Sequence, residues 1–364
     1  MTALLMTGFP GFLGSALLPR LLARPERAGV RALCVVQPQH LKTARQRLSD
    51  IEQAHPDIAG RTELVTGDIT RRGLGIDPVH AELLDQVTEV WHLAAVYDLT
   101  VAKRVAQRVN VDGTARVLEF CAARAGFERL QYISTCYVSG RHHGVFTEDD
   151  LDVGQRFHNH YESTKFEAEQ LVRDAMAGGL PATIYRPGIV VGDSRTGETQ
   201  KFDGPYFVAR FLRRQPLPVA ALPAVDPQVK ASLVPRDFVI AAMDQLSVLE
   251  RSEGRTYALS DPEPPTNREV AAIFAEHLGK RLVWVPLPLG VTRRLLGTVP
   301  GLEWVTGLPA ELLDYFATPT TYDTTNTVTD LAGTGVSCPR FASYAATLLA
   351  FMDDHPEIDT AAMV

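Results

Sequence analysis

Thr7-Gly8-Phe9-Pro10-Gly11-Phe12-Leu13-Gly14 follows a short apolar run at residues 4–7 and precedes a helical pattern over 15–24. Glycine adopts backbone angles that side chains resist, so three glycines in eight residues permit a very tight turn. They also bare backbone amides at the start of a helix, where orphan N–H groups and the helix dipole favour a phosphate. Between a strand and a helix, the turn reads as a pyrophosphate cradle made of Gly8, Phe9, Gly11, Phe12, Leu13 and Gly14. Its spacing is GxxGxxG rather than GxGxxG, so a purely structural turn is the alternative.

Working outward, apolar or β-branched runs at 4–7, 31–36, 63–66, 90–93, 129–134 and 183–186 alternate with helical spacings at 15–24, 43–54, 101–125 and 161–176. This alternation predicts an α/β fold, a doubly wound parallel sheet of the Rossmann type covered on both faces. Ligands then bind outside the carboxyl ends of the strands. After residue 188 the pattern changes: prolines cluster at 216, 218, 223, 227 and 235, and short strands are expected at 257–259 and 282–285. Thr266 with Glu269 makes a capping box ahead of a helix. The expected division is an NADP-binding domain over 1–187 and a smaller mixed α/β substrate lobe over 188–364, whose strands are free to rejoin the main sheet.

Thirty-six basic residues against 43 acidic ones give a charge of −7. With no basic tail, nucleic acid is not an expected partner. Cysteines at 34, 121, 136 and 338 form no CxxC pair, which points to reduced thiols and a cytoplasmic location. The start MTALLMTG has no basic n-region and reaches a glycine turn by residue 8, leaving no room for a signal peptide. No apolar run reaches the roughly 20 residues of a membrane span. The nearest approach, 287–308, is broken by Arg293, Arg294, Pro300 and Glu303. It reads as a helical pair covering an apolar site, with a peripheral membrane contact as the alternative.

The second strand ends Cys34-Val35-Val36-Gln37 without a carboxylate, and Lys42, Arg45 and Arg47 follow. A carboxylate there would bond a ribose 2′-hydroxyl; its absence beside arginine favours NADP(H) over NAD(H), with Gln37 and Arg45 as candidate contacts. Asp68, with Ile69, ends the third strand, where a carboxylate can accept from an adenine amino group; a simple turn role is the alternative.

Tyr161-Glu162-Ser163-Thr164-Lys165 opens a helical segment, so phenol and ammonium share one face. A free tyrosine titrates near 10. A cation about 4 Å away favours phenolate by up to about 4 kcal/mol at an effective dielectric of 20, enough to bring the phenol near neutrality. Thr135, at the strand end Tyr132-Ile133-Ser134-Thr135, stands 26 residues before Tyr161 and can meet a carbonyl oxygen beside the phenol. Strand-end capping is the alternative for Ser134 and Thr135.

TGFPGFLG, GDIT, WHLAA, NVDGT, ISTCYVSG and YESTK occur in this order, and over roughly 3–240 the chain resembles the extended short-chain dehydrogenase/reductases. The resemblance implies a catalytic set of Thr135, Tyr161 and Lys165, with Lys165 also holding the nicotinamide ribose. It implies that Ala94 and Ala95 line the cofactor and that Asn110 supports the site, packing being the alternative for Asn110. The stretch YRPGIVVGDSRTG over 185–197 is similar to fatty acyl-CoA reductases and to the reductase domains of carboxylic acid reductases and peptide synthetases. That likeness puts Pro187 near the nicotinamide and implies a thioester substrate. NADP(H) would then reduce an acyl-CoA, acyl-carrier or derived aldehyde by hydride transfer, with Tyr161 as acid.

Alternatives are a ketone/alcohol dehydrogenase of the hydroxysteroid or dihydroflavonol type, an NDP-sugar epimerase or dehydratase, and a non-catalytic NADP-sensing protein. The apolar stretches 287–296 and 308–316 are candidates to line a pocket for a chain-like substrate. No carrier or adenylation domain is expected in the chain, so the acyl group should arrive as a free thioester. Relatives often pair through two helices, which makes a homodimer an expectation from resemblance alone. His142, His143, His158 and His160 flank Glu148, Asp149 and Asp150 without metal-ligand spacing, so a polar loop rather than a metal site is expected.

Overall fold

A strand inside a parallel sheet must bury both faces, and the apolar runs of the first half do so; all five residues of β1 (Ala3–Thr7) are buried. The computed structural model of the chain describes residues 2–97, 101–223, 226–285 and 318–358. After β1 come β2 (Arg31–Val36), β3 (Thr62–Thr66), β4 (Val87–His92), β5 (Arg129–Ile133), β6 (Ala182–Pro187) and β7 (Thr256–Leu259). They form one sheet in the order β7-β6-β5-β4-β1-β2-β3. Every neighbouring pair is parallel. The order reverses between β1 and β4, and a crevice opens at their carboxyl ends.

Helices cover both faces. On one side lie α1 (Phe12–Leu22), α2 (Leu41–Ala54) and α5 (Arg236–Ser247); on the other lie α3 (Gly113–Ala122) and α4 (His160–Ala177). Leu17, Leu18 and Leu21 share a core with Phe238, Val239 and Met243. Val117, Phe120, Ala168 and Val172 fill the opposite face. Arg20 of α1 and Arg24 just beyond it both reach the buried Asp244 of α5, at 2.8 and 2.6 Å. The helix expected over 101–125 is instead two helices, Lys103–Ala106 and α3, joined by a π-helical turn at Gln107–Asp112. Such a turn re-aims a side chain, and here it carries Asn110.

Beyond β6 the chain builds a second core from the helices Pro205–Arg214, Asn267–His277 and Phe341–Asp354, around Phe202, Tyr206, Phe274 and Tyr344. Strands Val219–Pro223 and Arg281–Val285 pair in parallel beside it. The Thr266–Glu269 capping box is present. The chain also returns to the main sheet through α5 and β7, so the sheet itself is not divided at residue 187. The apolar stretches 287–296 and 308–316, and the membrane-surface alternative for 287–308, lie outside the described residues. Among those described, no helix is long and apolar enough to cross a membrane.

Glu148 ties the returning chain down. It is 2% exposed and accepts from the N–H groups of Ala258 (2.8 Å), Asn326 (2.5 Å) and Thr327 (3.2 Å) and from the Thr327 hydroxyl (2.8 Å). Removing it orphans several buried donors at once. Glu148→Ala is expected to lower the free energy of unfolding by about 3 kcal/mol in a urea titration. A loss below about 1 kcal/mol would show that this carboxylate does not fasten β7 and the 325–331 helix.

Candidate active site

The glycine turn is dictated by contact. Gly8 has a φ of +89°, and a Cβ on it would fall 2.8 Å from the Ala94 nitrogen. A Cβ on Gly11 or Gly14 would fall 2.7 or 2.8 Å from the Gly8 carbonyl oxygen. Thr7 accepts from the Ala94 N–H at 3.2 Å and bonds His92 at 2.8 Å, holding the ends of β1 and β4 together. Gly11 caps α1 without a side-chain hydrogen bond, and the first turn carries no acidic residue. The first-turn amides and the positive end of the dipole are thus left available to an anion.

A cleft of about 330 Å³ runs from this turn to the end of β5 and β6. Gly8, Gly11, Phe12, Leu13 and Gly14 form its near wall, and Ala94 and Ala95 its floor. Thr135, Tyr161, Lys165 and Pro187 line the far end. A backbone cradle at one end and hydroxyl groups at the other fit a dinucleotide laid along the crevice. Five expected cofactor residues are not on its walls. Phe9 is buried in the core beneath the turn, and Ile69 packs against Gly113 and the opposite core. Arg45 is exposed on α2. Gln37 hydrogen-bonds Asp68. Burial alone would raise the Asp68 carboxyl, but hydrogen bonds from Thr70 and Gln37 and the Arg108 charge bring it below the usual range.

Tyr161 is the second residue of α4, whose start is capped by Asn159 accepting from the Glu162 N–H at 3.0 Å. Thr135 follows β5; its hydroxyl oxygen accepts from the Tyr137 N–H at 3.2 Å, donates to the Pro187 carbonyl at 3.5 Å and lies close enough to the Tyr161 phenol to draw its pKa down. Ser134 points elsewhere: it donates to Glu169 at 2.6 Å. The choice between the two hydroxyls is settled by strand alternation, which turns neighbours to opposite faces.

The expected coupling of Tyr161 to Lys165 is not what the structure shows. Lys165 is 3% exposed and donates to the Tyr132 hydroxyl at 3.1 Å and the Ile133 carbonyl at 2.8 Å. Burial lowers its pKa from 10.5 to about 8, against the pull of Glu169. Burial likewise pushes the Tyr161 phenol well above 10; the Thr135 hydroxyl draws it down and the Glu162 charge pushes it further up. The i, i+4 spacing does put both groups on one helix face. Desolvation of the phenolate outweighs a cation whose hydrogen bonds are directed at β5.

Sequence reading missed what lies beneath. Glu169 is fully buried and meets Arg186 at 2.6 Å and Arg173 at 3.1 Å. Burial would raise its carboxyl, but the two guanidiniums and Ser134 hold it below the usual range. Asn110 accepts from the Val96 N–H at 2.9 Å and donates to Thr164 at 3.1 Å, pinning the loop after β4 to α4. Tyr97 on that loop, with Lys201 and Asp203 from beyond β6, also lines the cleft. No periodic signal marks these three. His158 meets Glu162 at 2.9 Å and Thr318 at 2.9 Å, and among the described residues no His/Cys/Asp/Glu group is arranged to hold a metal.

Comparison with known proteins bears on the family and the fold. The NAD-binding family model described as male sterility protein matches residues 6–243. Glycine betaine reductase ATRR of Emericella nidulans is 30% identical over 283 residues, 73% of this chain and 21% of that protein. Fatty acyl-CoA reductase wat of Drosophila melanogaster is 25% identical over 65% of this chain and 52% of its own length. The chain thus spans well under two thirds of these curated relatives. Among solved structures, the terminal R domain of the myxalamid PKS-NRPS pathway superposes with a TM-score of 0.83 at 28% identity, covering 98% of this chain and 91% of that one.

Lys165 yields a pH test. Its proton leaves at about 8 in the folded protein and at about 10.5 in the ordinary unfolded setting. Between those values the unfolded chain binds the extra proton, so folding stability rises with pH. Relative to Lys165→Met, the wild type should gain about 2 kcal/mol in denaturant unfolding from about pH 7 to about pH 10. Parallel curves for the two proteins would refute the buried ammonium.

Proposed function

The chain belongs to the male sterility protein family of extended short-chain dehydrogenase/reductases, and from that membership we propose an NADP(H)-dependent reductase of acyl thioesters or of the aldehydes derived from them. The observation that carries this is that the Thr135 and Tyr161 hydroxyl groups meet on one wall of a cleft whose near wall is the glycine turn. A thioester rests on the names of two relatives, a fatty acyl-CoA reductase and the R domain of a synthetase pathway.

A bound nicotinamide dinucleotide supplies the hydride. The amides of Phe12, Leu13 and Gly14 would hold its pyrophosphate. Gln37 and Arg45, with no carboxylate between them in sequence, would take a 2′-phosphate lying beyond the cleft walls, and Asp68 would take the adenine edge. Thr135 and Tyr161 donate to the substrate carbonyl oxygen, where negative charge develops; one such donor is worth about 3 kcal/mol in the transition state. The raised pKa of Tyr161 suits this direction, because the phenol stays protonated and ready to give its proton. Reduction of a thioester leaves a hemithioacetal, which releases thiol and aldehyde. Lys165 stays largely cationic at neutral pH and offsets the phenolate left behind.

Oxidation of NADPH, followed at the nicotinamide absorbance against acyl-CoAs, aldehydes, ketones and sugar nucleotides, tests the reading. Turnover of thioesters is expected, with Tyr161→Phe losing about 100- to 10,000-fold in kcat while NADPH still binds. Silence toward thioesters alongside turnover of ketones or sugar nucleotides would overturn the substrate assignment. Gln37→Glu should weaken NADPH relative to NADH by about tenfold, since a carboxylate repels the 2′-phosphate; an unchanged ratio would remove the NADP preference.

A further inference from the structure

The phenol lacks an obvious source of orientation. Lys165 is committed to Tyr132 and Ile133, and the nearby Thr135 hydroxyl acts on the phenol oxygen without fixing the ring. Tyr97 meets that need. Its ring stands against the Tyr161 ring with centroids 5.1 Å apart at 81°, the edge-on geometry that aromatic quadrupoles favour.

Tyr97 is itself held from the other half of the molecule. Its hydroxyl faces Asp203 across the cleft wall, near enough for the carboxylate charge to hold the phenol neutral. Asp203 pairs with Lys201 at 2.9 Å, both side chains being about four-fifths buried. The Lys201 ammonium lies 5.0 Å from the Tyr97 ring centroid, within range of a cation–π attraction. Between these two residues, Phe202 is fully buried against Tyr206 in the second core, so the segment has a rigid root. From below, Asn110 fixes the loop through Val96.

We propose that Tyr97, clasped by Asp203 and Lys201, is a positioning residue for Tyr161: its ring sets the angle of the phenol toward the substrate carbonyl and shields it from water. The inference rests on Tyr161 being the proton donor, whatever carbonyl compound is reduced. It makes the second half of the chain part of the catalytic geometry. A lobe that only enclosed substrate would have no need to grip the loop beside the phenol.

Tyr97→Phe keeps the ring and cuts the tie to Asp203; Tyr97→Leu removes the ring. Two readouts separate positioning from general damage. With any carbonyl substrate that the wild type reduces, Tyr97→Leu should lower kcat about 30-fold with KM and the NADPH Kd within about 3-fold, and Tyr97→Phe should recover to within about 5-fold of wild type. In an ultraviolet titration without substrate, Tyr97→Leu should show one added phenolate step below about pH 12, because admitting water relieves the desolvation of Tyr161. The other groups facing the phenol, Tyr132 from β5 and Glu162 and Lys165 from α4, are common to the comparison. The added step should vanish in the Tyr97→Leu/Tyr161→Phe double variant. Wild-type kcat in Tyr97→Leu, a proportionate loss of NADPH binding, or the absence of that phenolate step would each overturn the proposal. A wild type inert toward thioesters would sink only the substrate reading, since the titration needs none.

Discussion

The backbone of β1 runs into the backbone that follows β4 at Gly8 and Ala94, with no space for a Cβ between them. That contact sets the crevice. It brings the amino end of α1 to the switch point of the sheet and places Ala94 and Ala95 under whatever lies along it. The same proximity fixes Thr7 and His92, whose imidazole burial keeps neutral, with a pKa lowered to about 3 and a further push from Lys165. A neutral ring can bond Thr7 and Thr114 without adding a second cation near the lysine. Everything catalytic is measured from this edge.

Charge is then distributed so that the site is supported without being neutralised. Glu169 takes two guanidiniums, and Arg186 donates onward to the carbonyl groups of Thr147, Glu148 and Asp150. An isolated buried carboxylate would be prohibitive; bonded in this way it becomes a rigid post between α4 and the loop after β5. Its field reaches Lys165, where it opposes desolvation and keeps the pKa at about 8 rather than lower. An ammonium poised there remains cationic at neutral pH yet is cheap to deprotonate. The phenol, by contrast, is left in surroundings that favour its neutral form. Phenol and ammonium are therefore set apart by environment, as the proposed donor and stabiliser would need to be.

Much of this was legible in the chain. The strand–turn–helix at residues 4–24, the β–α alternation and the Tyr161–Lys165 spacing lead to the sheet, the crevice and the shared helix face, because each is a local pattern with a fixed period. The electrostatics were not legible. Spacing shows that Lys165 and Tyr161 lie on one face, but not that the ammonium turns to Ile133, since that depends on which β5 carbonyl is exposed beneath α4. Nor does spacing reveal the π-helical turn at Gln107–Asp112, which no propensity marks. The resemblance chose Thr135 over Ser134, and the structure turns Ser134 away to Glu169. Tyr97 was invisible for a different reason: it sits in an irregular loop, and its partners are over a hundred residues away.

Long-range partners of this kind explain why the second half of the chain cannot be read as a detachable lobe. β7 and α5 belong to the main sheet, Glu148 anchors the helix at 325–331, and Asp203 reaches back to Tyr97. The two cores share few side chains, yet the cleft takes its walls from both. A rigid glycine cradle can be supplied by the sheet alone, since it is built from backbone. Angular control of a phenol is a side-chain matter and needs contacts from a second direction. The lobe offers that direction through Lys201 and Asp203, so under the positioning proposed for Tyr97, substitutions at these two residues would also act on the geometry of proton transfer. Under that proposal the lobe and the phenol are coupled through a single aromatic contact.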